Sequence, residues 1–354
     1  MWDINRMNII VRILDANANR AREGLRTAEE YVRFGVGDES WSGKFRGYRH
    51  RITAILNQSV PHAELCGSRQ SREDCGNPSL HPERQGGREG ELPQETAVRG
   101  LKRAQEALRA LEEYAKGLGG SASGEFAQVR FELYEAEQWL VRCAQAVQVL
   151  RHSRLYVLLS SEACPRGLET TARASLDGGA TVLQLREKRI DGAEFQKRAE
   201  KVQEICAKYG AAFLVNDRLD IAQAAGAAGV HVGQEDLAPK EIRKLVGRGL
   251  VVGRSTHSVE QAQAAADQEE VEYIGIGAMY ETATKAAPVI RGPALAKAVS
   301  ELKLDVPVFA IGGITAERAR ELKQLGVERV AVASAVTSAP DPKLAAAELV
   351  KALQ

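Results

Sequence analysis

The sequence predicts two domains in series. Residues 1–150 should form an all-α helical domain of two duplicated helical hairpins, and residues 151–354 an α/β domain, a (β/α)8 TIM barrel. Three observations carry this. From Leu155 onward, short apolar runs alternate with amphipathic stretches. Before that point the chain is rich in Arg, Glu, Ala and Leu at helical spacing, with almost no strand pattern. The length of 354 residues also exceeds what one hydrophobic core ordinarily supports, roughly 250–300 residues.

In the first domain Leu14, Ala18, Ala21, Leu25, Ala28 and Val32 recur at steps of three and four, which puts them on one helix face. Leu101, Ala104, Leu108, Leu111, Ala115 and Leu118 form a second such stripe. The two helices also match residue by residue. Arg20, Ala21, Glu23, Leu25, Arg26, Glu29, Glu30 and Tyr31 correspond to Arg103, Ala104, Glu106, Leu108, Arg109, Glu112, Glu113 and Tyr114, the mark of an internal duplication. Each copy is followed by another amphipathic helix, over 45–56 and 126–149, in which Phe45 and Arg49 echo Phe126 and Arg130. Two hairpins packed as a four-helix unit is the architecture expected. Residues 58–95 turn to Gly, Pro, Ser, Arg and Glu and are expected to be a mobile polar loop. The Gly- and Ser-rich stretch 117–124 superficially resembles a kinase phosphate loop. It follows no strand and no Walker Lys comes after it, so it is expected to be an inter-helix turn.

In the second domain strands are expected over 155–159, 181–185, 212–215, 229–232, 250–253, 273–277, 306–311 and 329–333. Helices over 194–209, 259–266 and 316–325, and a last one after Pro342, fill the connections. About 200 residues for eight such units suit a small closed barrel.

The formal net charge of +1 supplies no basic excess for nucleic acid or an anionic membrane. Apolar runs are strand-length, and Asp3, Arg6 and Arg12 interrupt the N-terminus, so neither a signal peptide nor a membrane span is expected. Five scattered cysteines, Cys66, Cys75, Cys143, Cys164 and Cys206, suit a reduced cytoplasmic protein. His62, Cys66, Cys75 and His81 have the residue types of a zinc site but no paired C-x-x-C, and a plain polar loop is the preferred reading.

Chemistry-bearing residues gather where the expected strands end. They are Gln184-Leu185-Arg186-Glu187-Lys188, Asn216-Asp217-Arg218, Gly233-Gln234-Glu235-Asp236, Ser255, Thr282-Ala283-Thr284-Lys285, Ile311-Gly312-Gly313 and Ala333-Ser334. In a barrel the loops after the strands converge on one mouth. Two acids, several cations and a Gly pair at that mouth are the components of a magnesium-diphosphate site. Each motif alone has a plain structural account, as a helix cap, a turn or a solvated strand end. Their joint occurrence at successive strand ends does not.

These motifs, over about 200 residues, resemble those of thiamine-phosphate synthase. That family joins an aminopyrimidine methyl diphosphate to a thiazole ethyl phosphate and releases pyrophosphate. The resemblance implies Mg2+ at Asp217 and Asp236. It implies the pyrimidine diphosphate on Gln184, Leu185, Arg186, Glu187, Lys188, Asn216, Ser255 and Lys285, with Arg186, Lys188, Ser255 and Lys285 catalytic. Thr282, Thr284, Gly312, Gly313, Ala333 and Ser334 would take the thiazole phosphate. Tyr280-Glu281 departs from the apolar residue and Pro that commonly precede Thr282 in the family. Thiazole tautomerases, a related barrel family and the alternative reading, share the phosphate cradle but lack the diphosphate set.

The run Arg12 to Arg26, with Asp15, Asn17, Asn19 and Arg20-Ala21-Arg22-Glu23-Gly24-Leu25-Arg26, resembles a small domain found ahead of such synthases. That domain is associated with hydroxymethylpyrimidine-phosphate kinase activity, which implies ATP as phosphate donor. Phosphoryl transfer needs cations, a metal-binding acid and placement. Arg20, Arg22, Glu23 and Arg26 are the expected contacts, with Arg103 and Arg109 bordering the same cleft. Surface ion pairs at i and i+4 are the plain alternative for these residues, and a docking or dimerisation module the alternative for the domain. Expected partners are small pyrimidine and thiazole phosphates, with a homo-oligomer left open.

Overall fold

A computed structural model describes residues 2–67, 92–267, 271–282 and 289–354. Cys75 and His81 of the candidate zinc set, and Thr284 and Lys285 of the rim, lie outside the described residues, as does most of 58–95. The chain divides into two compact units, 1–141 and 142–354.

The helical unit is built from α1 (Trp2–Glu30), α2 (Glu39–Ser59), α3 (His62–Gly67), α4 (Pro93–Ala115) and the first part of α5 (Ala122–His152). α1 ends in a π-helical turn, Tyr31–Val36, and Gly37 closes it in the left-handed region at φ 75. Asp38 then caps α2, accepting from the Trp41 N–H at 2.8 Å. The stripe Leu14, Ala18, Ala21, Leu25 and Ala28 is fully buried, as are Leu101, Ala104, Leu108 and Leu111. α1 and α4 cross with their backbones in contact. A Cβ on Gly24 would lie 2.3 Å from the Gly100 carbonyl oxygen, and one on Gly100 would lie 2.7 Å from that of Gly24.

The duplication is visible in three dimensions. Phe45 and Phe126 are both core residues, and Glu29–Arg49 at 3.1 Å is repeated as Glu112–Arg130 at 3.0 Å. Within 58–95 the described flanks are helical: α2 runs to Ser59, α3 follows, and α4 starts at Pro93. Leu65 explains α3, because it buries itself in the core where composition alone suggests loop. The Gly-rich stretch after α4 is a 3-10 turn, Lys116–Leu118, leading through Gly119 and Gly120, both at positive φ, into α5.

The second unit is a closed parallel barrel in the order β1 to β8, with β8 pairing back to β1. The strands are β1 (Leu155–Leu159), β2 (Val182–Leu185), β3 (Ala212–Asn216), β4 (Gly229–Val232), β5 (Val251–Thr256), β6 (Tyr273–Gly277), β7 (Val308–Ile311) and β8 (Val330–Val332). The intervening helices are α6 (Leu168–Asp177), α7 (Gly192–Tyr209), α8 (Leu219–Ala224), α9 (Pro239–Val246), α10 (Val259–Asp267), α11 (Pro293–Glu301), α12 (Ala316–Gln324), α13 (Ser334–Thr337) and α14 (Pro342–Ala352). Alternation along each strand makes two cores. Phe213 and Val215 of β3 face the helix layer, while Ala212 and Leu214 face inward. The interior also holds Tyr156, Tyr273 and Phe309, packed edge to face at 5.4–5.9 Å, and Ala146 and Leu150 from the last turns of α5. With the N-terminal half of the barrel filled, polar groups concentrate toward the strand ends. Among the described residues, no helix is long and apolar enough to cross a membrane.

Candidate active site

Asp217 is the residue through which Asp236, Lys188 and Arg186 interact at the mouth. It directly follows β3 with φ 61, a left-handed conformation that Asp tolerates better than most residues. Its N–H donates to the His231 carbonyl at 2.9 Å, which fixes it against β4. Asp236, on the loop after β4, accepts from the Gly233 N–H at 2.7 Å. Burial pushes the Asp217 carboxyl up to about 6, the adjacent Asp236 carboxylate adds to this, and Lys188 and Arg186 pull it back. Two acids and two cations therefore share one field. This donor set fits Mg2+: two hard carboxylate oxygens from adjacent loops, one of them on a carboxyl that burial and its acidic neighbour make unusually proton-loving. Among the described residues no group of three or more His, Cys, Asp or Glu side chains forms a metal cluster, so Asp217 and Asp236 stand as a pair.

The expected residues divide by what their side chains do. The Arg186 and Lys188 side chains make no hydrogen bond or ion pair among the described residues and act on Asp217 through space, while the Arg186 N–H donates to the Leu159 carbonyl at 2.8 Å. Leu185 lies in the strand–helix core, which leaves only its backbone for the mouth. The Glu187 carboxylate is engaged within the protein, accepting from the Ser161 N–H at 3.1 Å, from the Ser161 hydroxyl and from Arg198 at 3.2 Å. Glu187 thus braces the loop that carries Arg186 and Lys188. Asn216, the last residue of β3, sits in register with His231.

Beneath the mouth runs a chain of polar contacts inside the barrel. Gln184 donates its amide to the Tyr156 hydroxyl, and Tyr156 meets the Tyr273 hydroxyl at 3.0 Å. Tyr273 meets His231 Nδ1 at 2.8 Å, and His231 Nε2 lies 2.9 Å from the Ser255 hydroxyl. Burial lowers His231 to about 4 and raises both tyrosines, so all three are neutral near pH 7. Gly253 makes room for this chain, since a Cβ there would lie 2.0 Å from the Tyr273 ring.

On the opposite side, Gly312 (φ 107) and Gly313 (φ 60) follow β7. A Cβ on Gly313 would lie 2.2 Å from the Glu281 carbonyl oxygen, and the Tyr280 N–H donates to the Gly312 carbonyl at 3.0 Å. The loops after β6 and β7 are thereby zipped together. Tyr280 stacks with the Arg318 guanidinium at 4.4 Å and so anchors the loop against α12, while the Glu281 side chain is exposed. Ala333 and Ser334 enter the one-turn helix α13 after β8, and Thr282 is the last described residue of the β6 loop.

In the helical unit Arg20 and Glu23 line a cleft between α1 and α4 together with Arg103. The other expected contacts do not join them. Arg22 turns toward α2, donating to Thr53 at 3.1 Å and to Asn19, and Arg26 is tied to Glu30 at 2.7 Å on an exposed face. Arg109 pairs with Glu112 and Glu113. Helical phase explains Arg22, two residues from Arg20 and so nearly opposite it, while Arg26 and Arg109 are drawn off by their own ion pairs.

A family model described as thiamine monophosphate synthase matches residues 155–336. Thiamine-phosphate synthases of Nostoc sp. and Synechocystis sp. are each 36% identical, over 350 and 351 residues. The alignments cover 98% and 97% of this chain, and 94% and 96% of those proteins. The chain belongs to the thiamine-phosphate synthase family. Thiamine phosphate pyrophosphorylase from Pyrococcus furiosus superposes with a TM-score of 0.52 at 30% identity, covering 59% of this chain and 97% of that one. The model of the ThiD2 family matches residues 12–139, in the helical unit.

Within this synthase-family barrel, Tyr156, Tyr273 and His231 are the polar residues that sequence reasoning missed. All three sit inside strand runs that read as core. The available signal was Gly253, a glycine in mid-strand, which marks a close approach.

Proposed function

We propose that the barrel condenses a pyrimidine methyl diphosphate with a thiazole ethyl phosphate to give thiamine phosphate and pyrophosphate. Loss of the diphosphate is dissociative: the pyrimidine amino group's electrons help expel it, and the thiazole nitrogen attacks the resulting methyl cation. The C–O bond to diphosphate breaks, a C–N bond forms, and no side-chain nucleophile takes part. The shared field of Asp217, Asp236, Arg186 and Lys188 at one mouth carries this reading. Mg2+ held by Asp217 and Asp236 would neutralise charge on the leaving group. Arg186 offers a bidentate fork and Lys188 a point charge to the same oxygens, and Lys285 is assigned the same duty. Ser255, backed by neutral His231, is a hydroxyl donor beside them. The joined loops at Tyr280–Thr282 and Gly312–Gly313 orient backbone groups for the thiazole phosphate, with Thr284, Ala333 and Ser334 alongside.

The helical unit we assign to the preceding step, ATP-dependent phosphorylation of the pyrimidine monophosphate, on the ThiD2 match. A single assay tests both. The full chain is given ATP, Mg2+, pyrimidine monophosphate and thiazole phosphate, beside a control supplied with the diphosphate. Product from both mixtures is expected. Product only from the diphosphate would leave the helical unit a docking or dimerisation module. Product from neither would sink the synthase reading in favour of a tautomerase-like barrel.

A further inference from the structure

The crossing of α1 and α4 leaves a cleft of about 660 Å³ beside the Gly24–Gly100 contact. Equivalent positions of the two copies supply four of its charges, Arg20 and Glu23 from α1 and Arg103 and Glu106 from α4, and Arg99 of α4 lines it as well. The glycines matter here, because backbone contact draws the two helices close enough for both charge sets to reach one space.

These four side chains behave differently from the other charges of the same helices. Arg26 pairs with Glu30, Arg109 with Glu112 and Glu113, Lys102 with Glu137, and Glu29 with Arg49. Arg20 and Glu23 are three residues apart, as are Arg103 and Glu106, a spacing that permits ion pairs. Among the described residues neither pair forms, and none of the four makes another hydrogen bond. Two guanidinium groups and two carboxylates thus face a common space with their bonding capacity unspent.

We infer that this cleft binds a metal-bound polyphosphate, Arg20 and Arg103 taking phosphate oxygens and Glu23 and Glu106 the accompanying divalent ion. Guanidinium forks match phosphate oxygens, and a carboxylate pair matches a hard cation. The inference deepens the kinase reading and rests on it only for the identity of the ligand as ATP. In that reaction an oxygen of the acceptor monophosphate forms a bond to the terminal phosphorus, and the bond from that phosphorus to the ADP oxygen breaks. The attacking phosphate oxygen is already anionic, so no general base is needed and positioning by these four residues suffices.

Calorimetric titration of the full chain tests it, with Mg2+ and a β,γ-imido analogue of ATP in one arm and the pyrimidine monophosphate in the other. The Mg2+-bound analogue should bind about tenfold or more weakly to Arg20→Ala and to Arg103→Ala, and a loss confined to the monophosphate would overturn the polyphosphate assignment. Arg103→Lys, which keeps the charge and loses the fork, should fall between. Arg109→Ala, an equal charge change outside the cleft, should bind like wild type, and melting curves of all four should coincide. Unchanged binding in both alanine variants overturns the site, as does a wild-type chain that binds neither ligand. Binding that depends on these arginines without any turnover supports the site while sinking the kinase reading. Full turnover in the double variant does the reverse.

Discussion

The two units assemble charged residues by different means. In the barrel, Arg186, Lys188, Asp217 and Asp236 come from loops after strands held rigid by parallel pairing, and they meet because the topology forces those ends together. In the helical unit, Arg20, Glu23, Arg103 and Glu106 come from the middle of two helices, and they meet because two glycines let those helices touch. The first arrangement tolerates change along the loops, while the second depends on the crossing itself. Supporting contacts differ likewise. Glu187 is braced by Ser161 and Arg198 behind the barrel mouth, whereas the duplicated Glu29–Arg49 and Glu112–Arg130 pairs lock the hairpins away from the cleft.

The contrast can be tested from its strongest consequence downward. Asp217→Asn should reduce coupling by roughly a thousandfold while leaving the barrel folded, since it removes charge and keeps shape. Steady-state rates with supplied diphosphate decide this, and a loss below tenfold would remove Asp217 from the metal pair. Gly24→Ala should destabilise the helical unit by about 1–3 kcal/mol in urea titrations, because its Cβ meets a backbone oxygen that cannot swing aside. Coupling from diphosphate should survive it, and equal damage to both activities would show that the units do not work independently.

Tyr273→Phe removes the hydroxyl between Tyr156 and His231 and should cost about 1–3 kcal/mol of stability, read from thermal melting. Mg2+ affinity, titrated with pyrophosphate present, should fall as pH is lowered from about 7 to about 5. Folded Asp217 keeps its proton up to about 6 against an ordinary 3.8, so a proton then competes with the ion. Since the fold disfavours the charged form, the metal-free barrel should gain stability over that same interval, and Asp217→Asn should flatten both profiles. Arg26→Ala should change pyrimidine-monophosphate phosphorylation by less than about twofold and leave melting unmoved, because its ion pair is exposed.

The barrel was legible because strand periodicity and rim chemistry are both local. An apolar run followed by Asn216-Asp217 announces its place without knowledge of its neighbours. Interior polar residues were not, since Tyr156 and Tyr273 are compatible with either core when only the strand is seen. In the helical unit the duplication was legible from matched residues, but the cleft was not. Helical phase separates Arg20 from Arg22, and the Glu30 ion pair holds Arg26, yet only the α1–α4 crossing determines which face has a partner. α3 was hidden for a related reason, because its buried anchor, Leu65, stands in a polar stretch.

The interior chain from Gln184 to Ser255 also has a direction. The Gln184 Nε2 can only donate, so the Tyr156 oxygen receives it, and the arrangement that uses each hydroxyl proton once gives the Tyr156 proton to Tyr273. Tyr273 in turn gives its proton to Nδ1 of neutral His231, which fixes the remaining ring proton on Nε2, pointing at Ser255. In that arrangement each tyrosine hydroxyl is receiver first and giver second, and the Ser255 oxygen receives the His231 Nε2 proton. An amide buried in β2 thereby dictates the orientation of a hydroxyl on β5, three strands away around the barrel.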